Sequence, residues 1–440
     1  MRVLLITVGG SDEPVVTSIN SIKPDKIIFM CTGEKFGSRV TVDGDGLVCG
    51  DFVNSKRINS RPNIIIQTGM SIENVTIIEV EADNPYDTYS KALEIIQKHQ
   101  NDEIIVDFTG GTKSMSAGLW GASTEIPDCS FILVKGPRVN LEKVRGNLSC
   151  IQRFDKNVIL GKRQIETVKS LVGKQSYESA LIIVKEITTF DGINSHEGLE
   201  QLRYFLTIFA QWDNFEYEAA KETMYMYVQL YTPEPEIIYY KRVLESLVPA
   251  KEIFLKFEQK TYSTKQVLNG FKMVYDLLRN AERKAANRHY DDAVSRIYRA
   301  TEMYAQFALL TNKIQTSDVN LELLQNINPQ RFSYYEGKRN EKGQIQIGLK
   351  DSYDLLEDMK HPIGKVWCEH KYKVLDAIKL RNDSFLAHGM NPIEEKHYKK
   401  FKSAIWKFIE QCDESNKDLV KGKIGLNYYK DLPDGLQGVI

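Results

Sequence analysis

The chain has 440 residues, enough at roughly 100–200 residues per domain for two to four domains with their own cores. Hydrophobic residues make up 42% and charged ones 27%, which excludes a disordered or fibrous chain. The net charge of −1 excludes a global basic field, so any nucleic-acid site must be local. No apolar stretch approaches the ~20 residues of a membrane span. The run after Arg2 meets Gly9-Gly10 and does not read as a signal peptide, so neither a membrane nor a secreted protein is expected. Six cysteines (Cys31, Cys49, Cys129, Cys150, Cys368, Cys412) lie far apart with no CxxC pair. That suits reduced thiols in a cytoplasmic protein and argues against a zinc site built on paired cysteines.

Up to about Phe154, short apolar runs rich in β-branched residues alternate with helical segments. The runs are Val3–Val8, Lys26–Cys31, Val75–Val80, Glu103–Phe108 and Ser130–Val134. Near-continuous apolar runs of this length predict strands buried on both faces, hence a parallel sheet between helices. After Asp83-Asn84-Pro85, residues Tyr86, Tyr89, Leu93 and Ile96 fall at helical spacing. The expected domain is α/β and Rossmann-like over residues 1–154, with an insertion at 36–74 that reads as a hairpin. Beyond Lys156 the alternation gives way to long helical periods: Ile165–Ile187, Leu199–Tyr231, Val267–Leu310, Val366–Ala387 and His397–Cys412. An all-α remainder follows, a connecting domain over 155–265 and a last domain over 266–440. Tyr-x-x-Ala recurs at Tyr177/Ala180, Tyr217/Ala220 and Tyr290/Ala293; either helical-hairpin repeats or ordinary helix packing would produce it. Joints are expected at Thr232–Pro235 and Thr261–Thr264, and a loop or mobile insertion at Asn326–Asp351.

Two places carry chemistry. Asp107-Phe108-Thr109-Gly110-Gly111-Thr112-Lys113 follows a buried strand and opens a helix. Backbone N–H groups and the helix dipole face outward at such a junction, and the glycines let a phosphate approach the main chain. Lys113 adds a positive charge at the same mouth. The Walker A pattern fails because no glycine precedes Lys113, and the dinucleotide G-x-G-x-x-G pattern also fails. Gly9-Gly10-Ser11 lies beyond another strand, at the edge where ligands of such sheets collect. A phosphate-bearing ligand other than a simple nucleoside triphosphate is expected.

Gly-Gly-Ser after the first strand, Asp-Phe-Thr-Gly-Gly-Thr-Lys after a later one, and the Asn84-Pro85-Tyr86-Asp87 helix start together resemble the CARF sensor domain of CRISPR-associated proteins. The resemblance covers residues 1 to about 150. It implies a homodimer binding a cyclic oligoadenylate through Gly9, Gly10, Ser11, Thr109, Gly110, Gly111, Thr112 and Lys113.

The second place is Leu380-Arg381-Asn382-Asp383-Ser384-Phe385-Leu386-Ala387-His388-Gly389. An Arg, a polar residue, four to six residues and a His are the signature of HEPN ribonucleases, and Ser384–Gly389 closely resembles the active-site helix of CARF–HEPN members. Arg–His spacing alone is weak, and Arg283 with His289 is a second match. On a continuous helix seven residues return to within ~20° of one face, whereas six diverge by ~120°. Gly389 and Pro392 predict a helix end just past His388, placing it in the last turn. That selects Arg381, Asn382 and His388 as catalytic. Asn280–Arg283, Tyr290–Ala293 and Arg296–Ala300 resemble the opening helices of the HEPN fold. Arg283, Arg288, Arg296 and Arg299 read as a solvated helix face or, less simply, as an RNA track.

The resemblance implies a metal-independent endoribonuclease that uses the 2′-hydroxyl of single-stranded RNA as nucleophile and leaves 2′,3′-cyclic phosphate and 5′-hydroxyl ends. Cyclic oligoadenylate would be its activator, with no cofactor and no DNA or membrane partner. Two alternatives stand beside it: a dimeric binding or scaffold protein without nuclease activity, and a sensor domain that also cleaves its cyclic ligand.

Overall fold

The computed structural model describes residues 1–440 apart from 34–36, 54–55, 126–128, 137–149, 155–156, 188–194, 257–261, 388, 438 and 440. The chain divides into two compact units, residues 1–163 with 188–192 and residues 164–187 with 193–440, the boundary falling inside the helix that starts at Asn157.

In chain order the first unit contains β1 (Arg2–Thr7), α1 (Glu13–Ile22), β2 (Lys26–Cys31), α2 (Arg39–Asp43), β3 (Cys49–Val53) and β4 (Lys56–Arg61). There follow α3 (Ile64–Thr68), β5 (Val75–Glu79), α4 (Pro85–Lys98), β6 (Glu103–Asp107), α5 (Lys113–Thr124), β7 (Cys129–Lys135) and β8 (Cys150–Phe154). The main sheet runs β5-β2-β1-β6-β7-β8. Every pairing is parallel except β7 with β8, which is antiparallel. Because side chains alternate across a strand, Val3, Leu5, Ile104 and Val106 pack on α4 and α5 through Ala92, Ile96, Met115 and Leu119. Leu4, Ile6, Ile27, Phe29 and Ile105 point the other way, onto Val15 and Ile19 of α1 and Ile64 of α3. The sheet is therefore covered on both faces, as its near-continuous apolar runs require. The expected insertion contains an antiparallel hairpin, β3 with β4. Asn84 caps α4, its side chain accepting from the N–H groups of Tyr86 and Asp87, with Pro85 at the first helical position.

The second unit is helical: α6 (Asn157–Val172), α7 (Tyr177–Glu186), α8 (Ser195–Asp213), α9 (Tyr217–Leu230), α10 (Pro235–Lys256), α11 (Thr264–Asn269) and α12 (Phe271–Ala286). It continues with α13 (Tyr290–Leu310), α14 (Leu321–Ile327), α15 (Phe332–Glu336), α16 (Leu349–Asp358), α17 (Pro362–Asn382), α18 (Glu395–Ser415) and α19 (Lys417–Gly422). Three of the long predicted segments are broken by one shared kind of turn, between α6 and α7, α8 and α9, and α12 and α13; the third is also interrupted at Gly270, between α11 and α12. Gln175, Phe215 and Arg288 take left-handed φ of 53°, 62° and 65°. Their N–H groups bond back three residues, to Val172, Trp212 and Ala285, and the next N–H bonds back five. Two residues past each left-handed residue stands Tyr177, Tyr217 or Tyr290, opening the following helix, and Ala180, Ala220 and Ala293 are fully buried one turn later. The recurring Tyr-x-x-Ala phrase thus marks the helix after a tight turn.

Two sequence readings are corrected here. Asn326–Asp351 is not a loop: it holds the end of α14, α15 and a short bridge between Arg339 and Ile345. It is tied to α16 by Arg331–Asp358 (2.9 Å) and Lys338–Asp351 (2.7 Å). Nor does α17 reach Ala387; it stops at Asn382.

Buried carboxylates lace the helices. Asp276 accepts from Trp212 Nε1, Tyr217 OH and Tyr429 OH at 2.9, 2.7 and 2.9 Å. Asp413 accepts from Tyr275 OH, Tyr304 OH and the Leu426 N–H. The C-terminal segment closes onto several helices at once: Tyr240 OH donates to the Asp431 carbonyl and Tyr177 OH to that of Pro433. Each such bond satisfies a polar group that burial would otherwise leave costly.

Candidate ligand and catalytic sites

In the first unit, β1 and β6 are neighbours in register, Ile6 opposite Asp107, so the two glycine turns leave the sheet side by side. Their glycines are needed because the backbones touch. A Cβ on Gly9 would lie 2.8 Å from the Gly111 nitrogen, and one on Gly110 would lie 2.5 Å from the Thr7 carbonyl oxygen. Gly111 has φ of +83°, where a side chain is strained. Asp107, fully buried, fixes the second turn by accepting from the Thr109 N–H (2.8 Å), the Thr109 hydroxyl and Ser18. Burial raises its pKa, against the pull of these hydrogen bonds.

A cavity of about 470 Å³ opens beyond the carboxyl ends of β1 and β2. Gly9, Gly10, Gly111 and Thr112 line it; Ser11, Thr109, Gly110 and Lys113 do not. The Thr109 hydroxyl is taken up within its own turn and by the Val134 N–H (2.8 Å). Thr112 caps α5, accepting from the Met115 N–H. Lys113 is exposed at the first position of α5.

Sequence reasoning missed other lining residues, Thr32, Ser38 and Thr41, whose hydroxyls bond within their own segment, together with Cys49 and Gly50 from the insertion. Thr32 directly follows a strand, so its position was a usable signal; Ser38 and Thr41 were not, because only folding brings the insertion back. Asp12, also in the wall, anchors the hairpin through Arg61 Nε and Nη2 at 2.9 and 3.0 Å. Burial works against its charge, but Arg61 and Gln67 outweigh it and hold the carboxyl below its ordinary value.

In the second unit, Arg381 sits in the last turn of α17, where the helix dipole favours a cation. Its guanidinium carbon lies 4.5 Å from the ring centroid of Tyr298 on α13, and Nη1 donates to Asn382 Oδ1 at 3.3 Å. Asn382 is exposed. His388 lies outside the described residues. The rotation argument that paired it with Arg381 required an unbroken helix, and that requirement fails. Asp383 caps α17, and the Ser384 N–H already bonds the Arg381 carbonyl in a tighter turn. The N–H groups of Ala387 and Gly389 then both bond the Ser384 carbonyl, and the Asn391 N–H returns to the Asp383 carbonyl at 3.2 Å. A Cβ on Gly389 would stand 2.0 Å from that same Asp383 oxygen. Gly389 therefore closes a compact loop and does not end a helix. Asn382-Asp383-Ser384 was the real stop signal, since these side chains compete with helical backbone bonds.

The competing arginine is accounted for differently. Arg283 is buried and paired with Asp213 (2.7 Å) and Asp431, so it lies on no solvated face. Arg296 and Arg299 pair with Asp292 and Glu302. Another cavity, about 780 Å³, lies beside α10 and the C-terminal segment. Glu234, Glu236, Asp431 and Asp434 outnumber Lys430 in its wall, the wrong charge for RNA or a cyclic phosphodiester. Among the described residues no cluster of His, Cys, Asp and Glu could hold a metal ion, and no helix is long and apolar enough to cross a membrane.

A family model described as the Csm6 HEPN domain matches residues 264–412, which include Arg381, Asn382 and His388. No curated protein matches the chain. Among solved structures, Enterococcus italicus Csm6 bound to cyclic hexa-2′-fluoro-hexa-dAMP is similar with a TM-score of 0.58 at 14% identity, covering 96% of this chain and 97% of that one. At that identity the likeness establishes a shared fold. Residues 264–412 thus match the Csm6 HEPN domain, and the whole chain, a Rossmann-like α/β unit followed by a helical one, shares the fold of that solved Csm6.

Proposed function

We propose that the chain is a metal-independent endoribonuclease of the cytoplasm, switched on by a cyclic oligoadenylate and acting on single-stranded RNA in antiviral defence. The observation that carries this reading is Arg381: inside the matched HEPN residues, with no carboxylate partner among the described residues, it offers its guanidinium to an anion. In the proposed reaction the RNA 2′-hydroxyl gives up its proton and attacks the adjacent phosphorus. The P–O5′ bond breaks and the leaving oxygen takes a proton, giving 2′,3′-cyclic phosphate and 5′-hydroxyl ends. Arg381 would stabilise the added phosphorane charge with its fork of donors, Asn382 would orient substrate, and His388 would carry the proton. A homodimer would supply a second such set.

The cyclic ligand would bind in the first unit at the paired glycine turns, through Gly9, Gly10, Ser11, Thr109, Gly110, Gly111, Thr112 and Lys113. The solved relative's cyclic ligand supports a site in this unit, and the cavity supports Gly9, Gly10, Gly111 and Thr112 as its nearest contacts. The test is cleavage of labelled single-stranded RNA in EDTA, with no ligand, cyclic tetra-adenylate or cyclic hexa-adenylate. Ligand-dependent cutting that Arg381→Ala and His388→Ala both abolish is expected. Tight ligand binding without cutting would replace the reading by that of a sensing scaffold.

A further inference from the structure

Arg381 is held differently from several other arginines of the helical unit. Arg279, Arg283, Arg296, Arg299 and Arg331 each pair with at least one carboxylate, which fixes and neutralises them. Arg381 has no such partner among the described residues. Its Nε is buried with no hydrogen-bond partner, and its guanidinium carbon is 4.5 Å from the Tyr298 ring centroid. An aromatic face attracts a cation without supplying a negative charge, so it can hold a guanidinium while leaving its charge for a phosphate. A carboxylate in the same place would hold Arg381 equally well and repel the substrate.

The loop after α17 reinforces the point. Ser384 is buried, so the chain turns inward directly after Asn382, while Phe385 and Leu386 remain exposed at 62% and 56%. The backbone there fixes where Arg381 starts, and none of the described loop residues bonds its long side chain; apart from Asn382 Oδ1, which accepts from Nη1, the contact that holds its end is the ring of Tyr298. It projects from α13, is half-buried, and meets α17 from outside the catalytic segment.

We propose that Tyr298 is the positioning residue for Arg381: its ring face, and not its hydroxyl, holds the guanidinium ready for the scissile phosphate. This rests on the ribonuclease reading above. Tyr298 is compared as wild type, Tyr298→Phe and Tyr298→Leu in the full-length chain, with cyclic hexa-adenylate and labelled RNA. Small displacements of a catalytic group reduce turnover by up to ~100-fold, so Tyr298→Leu is expected to lower kcat by about 10- to 100-fold with KM within about 3-fold. Tyr298→Phe should stay within about 2-fold of wild type, since it keeps the ring.

A second readout is independent of cleavage: phenylglyoxal modification of Arg381, followed by peptide mass spectrometry. The Leu variant should be labelled faster than wild type and the Phe variant at the wild-type rate. Equal loss of kcat in both variants would assign the role to the hydroxyl and overturn the proposal. So would an unchanged labelling rate in the Leu variant. If Tyr298→Leu does not fold, Tyr298→Met, also non-aromatic, takes its place. Wild-type protein that cuts no RNA would remove the ribonuclease reading, while the labelling would still decide whether the ring holds the arginine.

Discussion

The two candidate sites both depend on a glycine pressed against another backbone, yet they belong to different kinds of structure. In the Rossmann-like unit, Gly9 meets Gly111 and Gly110 meets Thr7, joining two turns about 100 residues apart in sequence that leave adjacent parallel strands. In the HEPN domain, Gly389 meets Asp383 only six residues away and closes a local loop. The first contact exists because the sheet brings β1 and β6 together; the second exists because the helix fails early. One glycine pattern therefore marked the edge of a cavity beyond the sheet, and the other was a misleading helix stop.

Replacing the glycines tests this difference most severely. A Cβ 2.0 Å from a carbonyl oxygen cannot be accommodated without moving backbone, so Gly389→Ala should abolish RNA cleavage and leave cyclic oligoadenylate binding intact. Gly110→Ala should do the reverse, losing ligand affinity by calorimetry while any basal cleavage persists. In each case a destabilisation of about 3 kcal/mol or more is expected. If both variants lose both properties, the two sites are not separable in this way.

The two arginines sharpen the contrast within one domain. Arg283→Ala leaves Asp213 and Asp431 facing a buried gap and should destabilise the fold by roughly 3–5 kcal/mol in thermal or denaturant unfolding. Arg381→Ala should leave unfolding almost unchanged and lower kcat by about 100- to 1000-fold. An unfolding midpoint that drops as far for Arg381→Ala as for Arg283→Ala would sink this division of roles.

Two aspartates make a smaller comparison through pH. Burial pushes Asp413 up to about 6, from an ordinary 3.8, despite its bonds from Tyr275, Leu426 and Tyr304. The folded state then binds the proton more tightly than the unfolded one, so this contribution is present below about pH 4 and lost as pH rises through about 6. Burial also acts to raise Asp354, but bonds from Lys350, Lys371 and Trp367 outweigh it and hold the carboxyl at about 2. Its contribution is present above about pH 4 and lost as pH falls through about 2, on the order of 1–2 kcal/mol because its lysine partners face solvent. Chemical unfolding across pH should show Asp413→Asn losing the upper slope and Asp354→Asn the lower one. The smallest effect is that of Lys113→Ala: an exposed point charge at a helix start should alter ligand affinity by about 3- to 10-fold, with a weaker salt dependence than wild type.

Much of the molecule was legible in the residues. Five parallel strands were visible as apolar β-branched runs, because a strand covered on both faces has no polar positions to hide it. Asn84-Pro85 announced α4 through capping chemistry that is entirely local. The turns at Gln175, Phe215 and Arg288 were hidden, since apolar spacing continues across them and left-handed residues other than glycine leave no signature. Asn326–Asp351 read as a loop because its polar residues look solvated until Asp351, Asp354 and Asp358 of α16 receive them.

By itself the sequence determined the fold class, the place of the glycine turns and the segment holding Arg381, Asn382 and His388, because hydrophobic period, turn chemistry and family motifs are properties of short stretches. Only the tertiary structure decided which arginine is committed to carboxylates and which has none among the described residues, where α17 ends, and that an insertion supplies part of the wall of the cavity at the glycine turns. Those outcomes depend on partners far apart in the chain: Arg283 on Asp431, Arg381 on Tyr298, Arg61 on Asp12. A side chain's chemistry is fixed by its type, but what remains of it for function is fixed by the neighbours that folding brings to it.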